Sequence, residues 1–360
     1  MNIVLVATAL PGCEPDAVAN AAISGWGKAR PADNISIIMA SDGELVAHVG
    51  TGLSRVFQHD HIDAQAIEYL DNDGPRRILW TSRTDRRGLI DLAEAATWEG
   101  VSDPRGSSRF LAQDIFRALD MGLDELHIHL PAFMSGSDIG RGLLEGLSGV
   151  ELEWDSDKLR LREAVDQARR AIGSLRLVVS YSYGLELSGF DGLAHAWQKA
   201  GLDPSIAQRF HNDVAQYVHH LQRLRAQWDL TATTHGIHRY DVDGVGGGLG
   251  LVFSLLRAQL HLVGQNLVFP HETADLYVYV TNSVGLHIPS GVSAMSQQAE
   301  HSGSPAILVV CQSQLLRAEL ARLGLHGMYR LEATRDDLVL YHDDIANLFT
   351  RLATTWGWDV

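Results

Sequence analysis

Cysteine is almost absent: the 360 residues contain two, Cys13 and Cys311. That excludes a disulfide framework and a zinc knuckle, and points to a reducing compartment, the cytoplasm. Basic residues are also scarce. Lys and Arg number 29 against 44 Asp and Glu, a net charge of −15 that repels a nucleic-acid backbone over most of the surface. No stretch reaches the ~20 uninterrupted apolar residues of a membrane span. The apolar start at Ile3 also lacks the basic residues of a signal peptide. Nucleic acid and membrane are therefore not the expected partners, which leaves a small anionic ligand or a second copy of the chain. Hydrolase signatures are missing too. There is no Gly-x-Ser-x-Gly elbow, and neither cysteine has a base close by in sequence.

Against these absences stands a cluster of glycine. Residues 243–250 read Asp-Gly-Val-Gly-Gly-Gly-Leu-Gly, and an apolar run follows from Leu251 to Val263, broken chiefly by Arg257 and the Gln259/His261 pair. Missing Cβ atoms permit positive φ and close approach to the main chain, while a following helix offers unpaired N–H groups to an anion. Gly244, Gly246, Gly247, Gly248 and Gly250 are thus candidates for a phosphate or carboxylate cradle. A tight turn between closely packed elements accounts for them equally well. No Lys-Ser/Thr pair follows, so this is not a P-loop, and Leu249 stands where a dinucleotide fingerprint has its third glycine.

With 46% hydrophobic residues the chain fills two cores. Ile3 to Thr8, Val18 to Trp26 and Ile35 to Met39 read as a βαβ opening. Leu45 to Ser82 reads as a hairpin-rich insertion, with short stretches at Arg55 to Gln58 and Arg77 to Thr81 and turn residues at 71–75. Helix and strand then alternate through Ser107 to Asp120, Leu126 to Leu130, Ser137 to Leu147, Leu175 to Ser182 and Asp191 to Ala200. Asp203-Pro204 opens a long amphipathic helix carried by Ile206, Phe210, Val214, Tyr217, Leu221, Leu224 and Trp228. Strands at Asp275 to Thr281, Ala306 to Cys311 and Met328 to Leu331, with a last helix from Asp343 to Trp356, mirror the opening. The expected class is α/β. A Rossmann-like parallel sheet built from both chain ends, 1–45 and 255–360, surrounds an inserted mixed α/β domain, 46–254, that carries the hairpins and the glycine-rich loop.

Seventeen histidines invite a metal reading. His127 and His129 share one face of a strand, His219 and His220 diverge on the long helix, and His59/His61 and His235/His238 complete the pairs. Packing or solvation explains each, so no metal site is expected. Acidic residues at strand ends carry more. Asp42 and Glu44 follow the second strand, and Asp138 precedes a helix, where α/β proteins place ligand groups. Ser137 or Asp138 as a plain helix cap is the simpler reading.

The order of these pieces resembles the bacterial glycerate kinase family. The closest stretch is Gly244-Val-Gly-Gly-Gly-Leu-Gly250, similar to that family's Gly-Ala-Ala-Gly-Gly-Leu-Gly. Support comes from Asp91-Leu-Ala-Glu-Ala-Ala, Ala118-Leu-Asp-Met-Gly122, Pro289-Ser-Gly-Val292 and Pro305-Ala-Ile-Leu-Val309. The resemblance implies a two-domain α/β fold flanking a cleft. It also implies phosphorylation of glycerate, an organic acid, with ATP and Mg²⁺ as cofactors, where cations neutralise phosphoryl charge and a carboxylate orients the attacking hydroxyl.

Set against the family's motifs, the charges are missing. An opening Asp and Lys fall on Thr8 and Pro11, leaving only Gly12. Two aspartates fall on Ser182 and Gly184, and a Glu, an Arg and an Asp fall on Thr281, Ser283 and Gly285. Asp138 alone keeps its charge in its loop, and Asp42-Gly43-Glu44 loosely keeps an Asp-Gly-Gly-Glu turn. Losing most such groups together ends the reaction. The expectation is a glycerate-kinase-like pseudoenzyme that binds a small anion through Gly12 and the glycine-rich turn, with Thr8, Pro11, Ser182, Gly184, Thr281, Ser283 and Gly285 as degenerate cleft positions. Two alternatives remain. One is an active kinase using Asp42, Glu44 and Asp138, with Arg141 or Arg83 as its cation. The other is a structural or oligomer-forming protein with a filled cleft.

Overall fold

The computed structural model describes residues 1–69, 75–95, 104–132, 134, 136–189, 191–228, 241–270, 274–333 and 339–358. The chain forms β1 (Asn2–Ala7), α1 (Pro15–Ala29), β2 (Asn34–Met39) and α2 (Leu53–Asp60), then enters a second unit. There β3 (Gln65–Tyr69), β4 (Arg77–Ser82), β5 (Arg87–Asp91) and α3 (Leu92–Ala95) precede α4 (Arg109–Asp120), β6 (Glu125–Leu130), α5 (Arg141–Ser148), α6 (Lys158–Ile172) and β7 (Arg176–Tyr181). The second unit closes with α7 (Leu193–Lys199), α8 (Pro204–Trp228), α9 (Leu249–Leu255) and β8 (Gln259–Leu262). Back in the first unit follow β9 (Leu276–Val284), α10 (Ser290–Ser302), β10 (Ala306–Ser313), α11 (Arg317–Arg322), β11 (Gly327–Arg330) and α12 (His342–Trp356).

Unit 1 comprises Met1–Asp60 and Leu262–Val360, so residues 46–60 lie with the chain ends. Its sheet is parallel, in the order β11-β10-β9-β1-β2. Strand β1 is buried from Ile3 to Ala7, as an apolar run without alternation requires when helices cover both faces. Alternate residues supply two cores. Ile3, Leu5, Val278 and Val309 pack with α1 and α12, while Val4, Val6, Tyr277 and Leu308 pack with α10. From β1 the chain steps outward to β2, and from β9 it steps the other way to β10 and β11. The β1/β9 junction is therefore the topological switch point, outside which open α/β sheets bind ligands at the strands' carboxyl ends.

Unit 2, His61–His261, holds a mixed sheet in the order β3-β4-β5-β6-β7-β8. The β3/β4 and β4/β5 pairs are antiparallel, and β5/β6 and β6/β7 are parallel. The long helix α8 buries Phe210, Val214, Tyr217, Leu221 and Leu224, the stripe its spacing predicts.

Three expected elements differ. Arg55 to Gln58, read as part of a hairpin region, is helical: Leu53 and Phe57, one turn apart, both face inward in α2. The apolar run after the glycine-rich turn is not one helix. Helix α9 stops at Leu255, Arg257 takes a left-handed φ of 63°, and Gln259–Leu262 joins the sheet. Helix α5 begins at Arg141, not at Ser137, because Ile139 and Gly140 both have positive φ. Of the histidine pairs, His235 and His238 lie outside the described residues.

Candidate functional site

At the carboxyl edge of the unit 1 sheet, adjacent strands bring three sequence candidates together. Parallel pairing aligns Ala7 with Val280, so Thr8 and Thr281 come out side by side across the switch point. Both reach Asp42, which follows β2. Thr281 Oγ1 donates to Asp42 Oδ2 at 2.7 Å, and Thr8 Oγ1 lies 3.1 Å from the same oxygen and 2.9 Å from the Val280 carbonyl. Tyr279, which no sequence motif singles out, donates its hydroxyl to Asp42 Oδ1 at 2.8 Å. Burial dominates the titration of Asp42 and raises its pKa to about 6, although the three hydroxyls pull the other way. The same carboxylate holds the Tyr279 hydroxyl well above its ordinary pKa, after burial itself.

Beside this network, Ser283 Oγ stands 3.5 Å from Glu44 Oε2, and burial raises the Glu44 pKa. Glu44, Ser283, Gly285, Gln312, Gln314 and Arg330 are among the residues that line a hollow of about 700 Å³. Pro11 and Gly12 belong to the turn after β1 and are held by the main chain. Pro11 accepts from the Leu340 amide at 2.8 Å, and the Gly12 amide donates to Ala47 at 3.1 Å.

Unit 2 holds the remaining candidates. Asp138 is buried and accepts four hydrogen bonds from its own surroundings. The Ser108 amide and hydroxyl stand at 2.9 and 2.7 Å, and the amides of Gly140 and Gly142 at 3.0 and 2.9 Å. Its carboxylate thus ties the start of α4 to the start of α5, the geometry of a cap. The glycine-rich turn is buried throughout residues 243–250. Gly244 donates to Leu185 O, Gly246 to Pro131 O, Gly248 to Gly244 O and Gly250 to Val245 O, so these amides are spent inside the protein. The close approach also explains the residue type. A Cβ on Gly250 would stand 1.8 Å from the Val242 carbonyl, and Gly248 sits at a φ of 97°. Ser137 Oγ donates to the Gly247 carbonyl. Gly184 abuts the Asp241 carbonyl, and Ser182 directly follows β7, half-buried.

Arg141 stacks its guanidinium 4.3 Å above the Trp154 ring, and the Arg83 side chain is exposed. His127 and His129 share Ser180 Oγ, at 2.7 and 3.0 Å, and burial followed by the neighbouring imidazoles lowers the His127 pKa to about 3. A neutral imidazole is metal-competent, yet no group of three or more His, Cys, Asp or Glu is placed to hold a metal ion among the described residues. No described helix is long and apolar enough to cross a membrane.

A parallel sheet made from both chain ends, with a mixed α/β unit inserted after α2, is the architecture of the glycerate kinase fold. The particular structure that shows this comes from Salmonella typhimurium LT2, a protein provisionally named glycerate kinase 2. The two superpose with a TM-score of 0.70 over 99% of this chain and 98% of that one, at 17% identity. No family model and no curated protein matches the sequence.

Proposed function

We propose that this protein binds a small hydroxy acid at the carboxyl edge of the unit 1 sheet and has lost or altered the phosphoryl transfer of glycerate kinases. One observation carries the reading. Thr8 and Thr281, where the resemblance puts an acid on each of two strands, spend their hydroxyls on Asp42, so a hydrogen-bonded knot around a single carboxylate stands at the switch point. That donor set fits Mg²⁺-ATP poorly, because Asp42 accepts hydroxyls at both oxygens instead of standing open to a cation. The hollow nearby suits a smaller guest: Arg330 for a carboxylate, and Glu44, Gln312 and Gln314 for hydroxyls.

A coupled ATP-consumption assay with D-glycerate and Mg²⁺ tests the loss. The expected result is no turnover near the ~1–100 s⁻¹ of ordinary kinases, and a rate in that range overturns it. Thermal shifts with small hydroxy acids test the binding, since a ligand at ~100 times its Kd adds about 2.7 kcal/mol. Replacement of Arg330 by Ala removes that shift if the site is correct.

A second reading rests on the Asp42 pKa of about 6, which suits a general base near neutrality. It makes the protein an active kinase of glycerate or a related acid. If turnover appears, Asp42→Asn abolishes it while a glycerate-induced thermal shift persists.

A further inference from the structure

We propose that unit 2 carries a binding site for a monocyclic aromatic carboxylate, in a cavity between α7 and α8 whose lining, among the described residues, comes from unit 2. Three residues two turns deep along α8, Phe210, Val214 and Val218, form one wall. Leu193 and Trp197, one turn apart on α7, form the other, and Ile139 lies beneath. The cavity measures about 210 Å³. Protein interiors leave few voids larger than a water molecule, because atoms facing a void lose their dispersion partners. An apolar cavity of ~150 Å³ is already enough to take a benzene ring, so this one accommodates a ring with a short substituent.

The walls favour an aromatic guest. Trp197 satisfies its only polar atom elsewhere, donating Nε1 to the Met134 carbonyl at 2.7 Å, and its ring meets Phe210 edge-on at 5.2 Å. A third ring gains the edge-to-face contacts that such pairs provide. Gln222, next on the same stripe of α8, spends its amide on Asp243 Oδ2 at 3.2 Å. The other polar lining groups lie toward solvent: His211 and His219 stand two turns apart along α8 with Ala215 between them, and Ser188 comes from the segment before α7. Imidazole and hydroxyl groups along the solvent side of an apolar slot suit a carboxylate left at the mouth, hydrogen-bonded rather than buried.

The floor supplies an independent observation. Ile139 is fully buried at a φ of 51°, a left-handed conformation that is strained for a β-branched residue. Neighbouring bonds impose it: the Ile139 amide donates to Ser137 Oγ at 2.8 Å, and Asp138 takes the Gly140 and Gly142 amides just beyond it. Strain of this kind persists where the surroundings over-determine it and concentrates at ligand sites. Here it sets a branched side chain under the cavity.

Isothermal titration of the full-length protein with benzoate, benzyl alcohol and cyclohexanecarboxylate tests the site. Benzoate is expected to bind saturably and more tightly than the other two. Ala215→Phe, at an exposed position, closes the mouth, and Ala194→Phe fills the cavity from α7; either abolishes binding while thermal unfolding stays cooperative. His211→Ala with His219→Ala weakens benzoate about tenfold, the loss of hydrogen bonds to a charged group, and leaves benzyl alcohol unchanged. The proposal is overturned if benzoate does not bind, or if it binds the folded Ala215→Phe and Ala194→Phe variants as well as the wild type. Equal affinity for benzyl alcohol, or loss of both ligands alike in the histidine variant, overturns the carboxylate assignment.

Discussion

Arg225, in the last turn of α8, lays its guanidinium across both carboxylate oxygens of Asp243, the residue that opens the glycine-rich turn; the Nη2 to Oδ2 distance is 3.0 Å. Both side chains are buried, and Gln222 adds a bond to the same carboxylate at 3.2 Å. The turn is therefore anchored at its first residue by an ion pair and along its length by main-chain bonds.

Breaking that pair leaves a buried charge without its partner. Asp243→Ala is expected to cost ~3–5 kcal/mol in urea unfolding. Replacing both partners, Arg225→Met with Asp243→Leu, is expected to recover most of it, because two apolar residues carry no desolvation penalty. Equal losses in the single and double variants would show that the anchor is not electrostatic.

The pH dependence of stability should carry the mark of Asp42. The folded protein holds this proton up to about pH 6, while an unfolded Asp releases it near 3.8. Between those values the folded state binds more protons, so this group's contribution falls as pH rises through the window. Wild-type stability minus that of Asp42→Asn is expected to drop by ~2 kcal/mol from about pH 4 to about pH 7. A difference that rises over that range would refute the raised pKa.

Two glycines separate crowding from backbone strain. Gly250→Ala drives a methyl group into the Val242 carbonyl and is expected to cost about 3 kcal/mol or more. Gly149 has a φ of 71° with open space around a Cβ, so Gly149→Ala should cost only ~1–2 kcal/mol. Chemical denaturation of both variants checks the order.

Asp138→Ala removes the acceptor of four donors at once and is expected to lower stability by ~3–5 kcal/mol. Ser108→Ala, which deletes one of them, should cost about 1 kcal/mol. The unfolding midpoints of the two variants test whether the carboxylate is the hub.

Much of the fold was legible because it follows from local periodicity. The continuous apolar run of β1 and the three-and-four spacing of α8 specify their elements without help from the rest of the chain. Arg257 and the Gln259/His261 pair interrupt the run 251–263, but the side-chain types do not announce that Arg257 turns left-handed and that a strand follows it. At the site, Asp42 stood out as a strand-end position, and Thr8 and Thr281 through the resemblance alone. Tyr279 did not, because it meets Asp42 across 237 residues and its pattern is that of any buried strand residue. The glycine-rich turn was visible as a backbone specification, but whether its amides face a ligand or carbonyls of the protein depends on Leu185 and Pro131, which no local pattern links to it.

The pairing of Ile3 with Leu276 sets an order on biosynthesis. At ~5–20 residues per second, β9 follows β1 off the ribosome by roughly 15 to 55 s. Unit 2, from His61 to His261, is synthesised in full within that interval and owns a complete sheet, whereas β1 and β2 wait with one flank unpaired. A nascent chain arrested after unit 2 thus exposes an apolar parallel strand with one flank open, the hazard that sheet edges pose for aggregation. In the cell, the yield of this protein should depend on how long that first strand is kept waiting.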